Sequence, residues 1–191
     1  DEVAALVEER GPVRVHQALK ALQMQSHCVA DHSDVEVLVS LGLGPLLRSE
    51  SLAFFLRDAK TLRTDLFKLE QVSYMTFIHC RVENLPGVLS AKQLAFIGFS
   101  YAEVADEHVA QVLQGLPLLY RLALNHCHSI TGDFRAAGSH PLREVLFHSC
   151  SSLTDAVFDS LLQCPVLETV HIVECDQLTA AGLERFLPQT Q

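Results

Sequence analysis

The chain has 191 residues, 49% of them hydrophobic, with a formal charge of −9 at pH 7. That is enough apolar material for one well-buried domain with a small appendage, and it rules out general disorder. The charges are evenly spread, 11 acidic and 8 basic residues up to residue 70 and 12 against 6 after it, so no basic face is expected. Nucleic acid is therefore excluded as the principal partner, and a protein with a basic surface suits the chain better.

The first segment, 1–70, reads as helical, with helices over Val3 to Glu9, Val13 to Met24 and Leu46 to Lys60. Gly11-Pro12 separates the first two, and Pro12 suits a helix start because its missing N–H would lack a partner there anyway. Leu38, Leu41 and Leu43 fit a degenerate strand, and Val35, Val37 and Val39 suit a plain strand or helix equally well. The apolar run from Leu38 to Leu47 is interrupted by Gly and Pro. It falls well below the roughly 18 to 20 residues of a bilayer span, so the chain is not expected to cross a membrane. No signal-peptide pattern is found, and Asp1 in place of an initiator Met fits either an excised segment or a precursor trimmed after organelle import.

From residue 71 onward the chain repeats itself. Leu119, Leu122, Leu124 and Cys127 set a frame that recurs in Leu142, Val145, Phe147 and Cys150, and again in Leu167, Val170, Ile172 and Cys175. Extended backwards, it takes in Ala91, Leu94, Phe96 and Phe99, and before them Val72, Met75, Phe77 and Cys80. Five strands follow, with the last residues of each unit 19, 28, 23 and 25 apart and Phe99 in place of a cysteine. The returns from Val104, Leu153 and Leu178 carry apolar residues at helical spacing, while Val82 to Leu89 is short and broken by Pro86-Gly87. Asp106, Thr154-Asp155 and Thr179 read as N-caps, whose oxygens accept from backbone N–H groups that would otherwise lack partners. Gly115-Leu116-Pro117 and Cys164-Pro165 read as helix stops.

Self-similarity at a period of roughly 20 to 30 residues is the mark of leucine-rich repeats. The fold class expected is therefore α/β: a solenoid of short parallel strands with helices on its convex side (71–191), behind a helical N-terminal cap (1–70). Such a cap has a plain physical use, since the end of a solenoid exposes an apolar cross-section. Residues in one column of a parallel sheet sit about 4.8 Å apart, beyond the disulfide bond length of about 2.05 Å. The cysteine column is accordingly read as reduced, buried thiols donating weakly to backbone carbonyls, which points to a reducing compartment.

The runs Cys127-His128-Ser129-Ile130-Thr131-Gly132-Asp133, Cys150-Ser151-Ser152-Leu153-Thr154-Asp155 and Cys175-Asp176-Gln177-Leu178-Thr179 resemble the cysteine-containing subfamily of leucine-rich repeats. That subfamily includes F-box substrate receptors and coupling factor B of mitochondrial ATP synthase with its relatives in respiratory-complex assembly. Both groups bind proteins. The layout, a helical N-terminal segment and then four or five repeats, is similar to the mitochondrial group, as is Arg10-Gly11-Pro12-Val13-Arg14 before a helix. The resemblance implies an intracellular, non-enzymatic subunit or assembly factor, in the mitochondrion ahead of the cytoplasm or nucleus. The alternative it implies is the recognition part of an F-box ubiquitin-ligase receptor, for which residues 1–70 hold no convincing adaptor-binding motif.

His126-Cys127-His128 and His148 with Cys150 invite a metal, yet alternate strand positions face opposite ways and their side chains cannot surround one ion. Cys150 with His126 fails as a nucleophile pair on the same ground, and a thiol buried in apolar surroundings is inert. Asp155 and Asp159, four apart on a helix, read as a solvated face. No phosphate-binding glycine loop occurs. No cofactor and no metal are expected, and the candidate site is the concave sheet face. Its columns are read as Tyr74, Gln93, Arg121, Glu144 and Thr169; Thr76, Ala95, Ala123, Leu146 and His171; and Ile78, Ile97, Asn125, His148 and Val173. From these, Tyr74, Ile78, Ile97, Arg121, Asn125, Glu144, Leu146, His148, His171 and Val173 are taken as partner-binding, because aromatic, Arg and exposed apolar side chains anchor interfaces.

Overall fold

The computed structural model describes residues 28–31, 51–55, 72–82, 85–135 and 138–187. Among them lie seven strands: β1 (Cys28–Asp31), β2 (Ser51–Phe55), β3 (Tyr74–Ile78), β4 (Phe96–Ser100), β5 (Arg121–Asn125), β6 (Glu144–His148) and β7 (Thr169–Val173). All pair in parallel and in chain order. Between them run the helices α1 (Pro86–Ser90), α2 (Asp106–Gly115), α3 (Ala156–Leu161) and, after β7, α4 (Ala180–Phe186). This is an open α/β arrangement. No described helix is long and apolar enough to cross a membrane.

Parallel neighbours need a crossover to bring the chain back to the same end of the sheet, and helices at the expected returns supply it. From β3 onward, the apolar period-2 face of the strands meets the apolar stripe of these helices. Met75, Phe77, Leu122, Leu124, Val145 and Phe147 lie at 0–1% exposure in one core with Val109, Val112, Leu113, Val157 and Leu161 at 0–2%. Each such side chain contributes about 1.5 to 3 kcal/mol by leaving water. The return from β5 to β6 has no α-helix among its described residues. Phe134 fills the space instead, and buried Ser160 holds that return in place. Its hydroxyl donates to Gly132 O at 2.7 Å and accepts from Phe134 N–H at 3.0 Å.

Three expectations are corrected here. First, Ser51–Phe55 is a strand and not part of a helix over 46–60. Leu52 and Phe54 share register with Met75 and Phe77, so the apolar alternation of the sheet overrides a helical pattern that short apolar runs also satisfy. The helices expected over 3–9 and 13–24 and the strand at Leu38 to Leu43 fall outside the described residues.

Second, β4 is in a different frame. Tyr74 pairs with Phe96, Met75 with Ile97 and Phe77 with Phe99, so Cys80 is matched by Ala102 and not by Phe99. In this frame the unit ends Cys80, Ala102, Cys127, Cys150 and Cys175 are 22, 25, 23 and 25 residues apart, and the earlier irregularity disappears. The slip arose because both Leu94-Phe96-Phe99 and Leu94-Ile97-Phe99 satisfy the apolar pattern, and Ala102 lacks the cysteine that marks the other units.

Third, Asp106 is not a cap. The N-cap position of α2 is Ala105, whose N–H donates to His108 Nδ1 at 3.1 Å. The Asp106 carboxylate reaches the following unit instead, accepting from the Thr131 hydroxyl and N–H and from Gly132 N–H at 2.9 Å. Asp155 repeats the device, accepting from Thr179 N–H at 2.8 Å and its hydroxyl at 2.6 Å. These bonds hold its carboxyl below the usual carboxylate range. Asp155 therefore has a structural partner where a solvated face was expected, while Asp159 is exposed. Thr179 behaves as expected, accepting from Gly182 N–H at 3.1 Å, whereas the N-cap position of α3 is Asp155, which makes no side-chain cap bond, and Thr154 just before it accepts from Ala156 N–H at 3.4 Å.

Candidate functional site

On β3 to β7 the residues that alternate with the core positions form the sheet face turned away from the helices. The register assembles them into three columns: Tyr74, Phe96, Arg121, Glu144 and Thr169; Thr76, Gly98, Ala123, Leu146 and His171; Ile78, Ser100, Asn125, His148 and Val173. Nine of the ten expected binding residues therefore share this face. Ile97 does not. It lies at 0% exposure in the core beside Met75 and Leu122, and the frame shift in β4 explains why. Phe96, Gly98 and Ser100 take the places expected for Gln93, Ala95 and Ile97.

The first column packs side to side. The rings of Tyr74 and Phe96 lie 6.1 Å apart, and the Arg121 guanidinium carbon sits 5.4 Å from the Phe96 centroid. A cation over an aromatic face is attracted by the ring quadrupole. Arg121 Nε lies 3.1 Å from Glu144 Oε1, an ion pair without the alignment of a hydrogen bond, so among the described residues this buried N–H has no acceptor. Glycine at position 98 is explained from here: a Cβ would stand 3.0 Å from Phe96 Cζ, so the absent side chain makes room for the ring. The other end of the face is more open. Leu146 and His148 are half-buried, His171 is exposed and Val173 is 44% exposed.

A fourth column, not foreseen from the sequence, borders this face. His79, Tyr101, His126, Ser149 and Glu174 each follow the last residue of a strand, and all have left-handed backbone with φ of 50–54°. Such backbone costs a residue other than glycine roughly 1 to 2 kcal/mol. It is adopted here because the chain must turn out of the strand for Cys80, Ala102, Cys127, Cys150 and Cys175 to follow. Cys80, Cys127 and Cys150 are buried, and Cys175 is half-buried. Four of the five N–H groups reach the next strand: His79 to Ser100 O, Tyr101 to Asn125 O, His126 to His148 O and Ser149 to Val173 O, at 2.8–3.0 Å. The side chains stack, His79 on Tyr101 at 4.9 Å and Tyr101 on His126 at 4.3 Å with planes 7° apart. His148 meets His126 edge-on at 5.4 Å, and its Nε2 lies 3.7 Å from Glu174.

The thiols behave as the column argument requires. Cys127 donates to Phe99 O and Asn125 O, and Cys150 to Leu124 O and His148 O, at 3.4–3.6 Å. Burial pushes the Cys80 and Cys127 thiols up to about 12 and those of Cys150 and Cys164 to about 11, which leaves little thiolate at neutral pH. No group of three or more His, Cys, Asp or Glu among the described residues has the arrangement of a metal site. No protein-family model matches the chain, and no curated protein matches it.

What was legible was the face itself, because alternation within a parallel strand is a local property. The stacked border has a sequence signal only in the corrected frame, where it is the residue before each unit end: His79, Tyr101, His126, Ser149 and Glu174. In the slipped frame Gly98 takes the place of Tyr101 and the aromatic run is broken.

Proposed function

We propose that the chain is a non-catalytic leucine-rich-repeat protein that docks through its helix-free sheet face onto a partner protein, as a subunit or assembly factor of a larger complex. The observation that carries this reading is the composition of that face: an aromatic and Arg cluster of Tyr74, Phe96 and Arg121 at one end, with the half-buried Leu146 and exposed Val173 further along the same face. Interfaces draw most of their energy from such side chains. The parallel strands in chain order and unit lengths of 22–25 residues support the repeat assignment. The raised thiol pKa values support a structural role for the cysteines over a nucleophilic one. A mitochondrial setting rests on the resemblance in layout alone.

The test is quantitative affinity enrichment from native extract with wild type, Tyr74→Ala and Leu146→Glu. A docking face predicts that the same partner is depleted in both variants, most in Leu146→Glu, because burying an unpaired carboxylate costs several kcal/mol. Equal recovery by all three, with all three folded, would contradict the reading.

A further inference from the structure

We propose, resting on the docking reading above, that the sheet face is gated by protons: a partner binds while His148 and His171 are neutral and leaves when mild acid charges them. Register places the residues. Leu146 on β6 pairs with His171 on β7, and two residues further on His148 pairs with Val173. All four lie on the helix-free face, so the two apolar anchors stand at opposite corners of a square whose other corners are imidazoles. Val173 and His171 are exposed, while Leu146 and His148 are half-buried. Whatever seals Leu146 and Val173 from water therefore covers both rings.

The groups around the two rings decide which form can be covered. Among the described residues the imidazole of His171 makes no hydrogen bond or ion pair. Leu146, Thr169 and Val173 flank it, and its diagonal neighbour Glu144 is already engaged by Arg121 at 3.1 Å. His148 meets His126 edge-on at 5.4 Å, and around that ring stand Tyr101 at 4.3 Å and His128 at 6.3 Å. The acid that faces this set among the described residues is Glu174, 3.7 Å from His148 Nε2. Its side chain is 70% exposed and accepts from the Ser149 hydroxyl at 2.7 Å, so it offers His148 one charge screened by water.

Histidine is the side chain that changes charge between about pH 5 and 8. Docking moves both rings out of water, which disfavours their charged form and would leave a proton on His171 without a counter-charge. The docked state thus holds fewer protons than the free one. Affinity then falls as pH drops, by up to about tenfold per pH unit for each ring that must release its proton. The opposite sign requires the partner to bring an acid to each ring, and a surface rich in such acids is repelled by a chain of charge −9.

The test immobilises the full chain, loads it with native extract at about pH 7.5, and follows those proteins whose recovery falls in Leu146→Glu. After a wash at about pH 5.5 their recovery should be at least about tenfold lower than after a neutral wash, while near-ultraviolet circular dichroism of the chain alone stays the same. In the double variant His148→Gln and His171→Gln the ratio of neutral to acid recovery should approach one, whatever the absolute recovery at neutral pH. His79→Gln, at the far end of the stacked border, should keep the wild-type ratio. A ratio near one in the wild type, a wild-type ratio in the double variant, equal flattening by His79→Gln, or retention that rises in acid would overturn the gate and leave the docking reading standing. Loss of the fold in acid would overturn it as well, because release would then be unfolding. If no protein depends on Leu146, the docking reading fails and the gate falls with it.

Discussion

Units β6 and β7 carry nearly the same pattern, Leu142, Val145, Phe147 and Cys150 against Leu167, Val170, Ile172 and Cys175, yet the first four are at 0% exposure and the second four are only partly buried. The residues are of the same kind; what differs is the neighbour. In a stacked array the core of one unit is completed by the next, so burial, pairing and thiol chemistry belong to pairs of units and not to single ones. The same motif can therefore be deep core at one place and half-exposed at another.

That difference should be visible in stability. Phe147→Ala removes a fully buried ring and should cost about 3 to 5 kcal/mol, whereas Ile172→Ala should cost well under half as much, because part of its side chain already meets water. Denaturant unfolding of both variants checks the ratio, and equal losses would mean that β7 is covered as fully as β6. Gly132→Ala should also cost several kcal/mol. Its φ is +97°, and a Cβ there would come within 2.6–2.8 Å of Val157, including its backbone, so no side-chain rotation relieves it. Mild loss would show that the return before β6 yields more easily than its contacts with α3 suggest.

The cysteines sharpen the comparison at a smaller scale. Cys150→Ser should destabilise by roughly 1 to 3 kcal/mol as a more polar hydroxyl enters a packed site, and Cys175→Ser by less. With a disulfide reagent under native conditions, Cys175 should be labelled well before Cys80, Cys127, Cys150 and Cys164, whose burial keeps them protonated. Mass mapping of the first modified site decides this.

The smallest effect expected is on pH dependence. His140, at 4% exposure, has its Nε2 3.2 Å from Leu116 O and its Nδ1 without a partner among the described residues; burial lowers its pKa below the ordinary histidine value. The unfolded chain then takes up a proton at a higher pH than the folded one does. His140 thus contributes no loss above about pH 6.5, and stability falls as pH drops from there through the lowered folded value. His140→Gln should flatten that part of the stability profile, and an unchanged slope would show that another group sets it.

How far the sequence could be read follows the same division between local and pairwise properties. Alternation within Leu122-Ala123-Leu124 or Val145-Leu146-Phe147 is local, and it placed β3, β5, β6 and β7, the helices α2, α3 and α4, and nine of the ten expected residues on one face. Register is pairwise. Around Phe96-Ile97-Gly98-Phe99 two frames satisfy the pattern, and only contact with β3 and β5 chooses between them, which is how buried Ile97 came to be expected on the surface. The Asp106–Thr131 and Asp155–Thr179 links were hidden for the same reason. An acid at a helix start looks like a cap until the hydroxyl of the next unit is seen to reach it. Ser51–Phe55 was misread because an apolar run as short as Leu52–Phe55 has no period of its own, and the adjoining strand supplies one.

The central claim is that the face carrying Leu146 is free to meet a partner while the face carrying Ile97 holds the array together. Thermal melts of Leu146→Glu and Ile97→Glu test it most directly. Leu146→Glu should melt cooperatively within a few degrees of wild type, while Ile97→Glu, which buries a carboxylate between Met75 and Leu122, should show no cooperative transition. A folded Ile97→Glu, or an unfolded Leu146→Glu, would contradict the account.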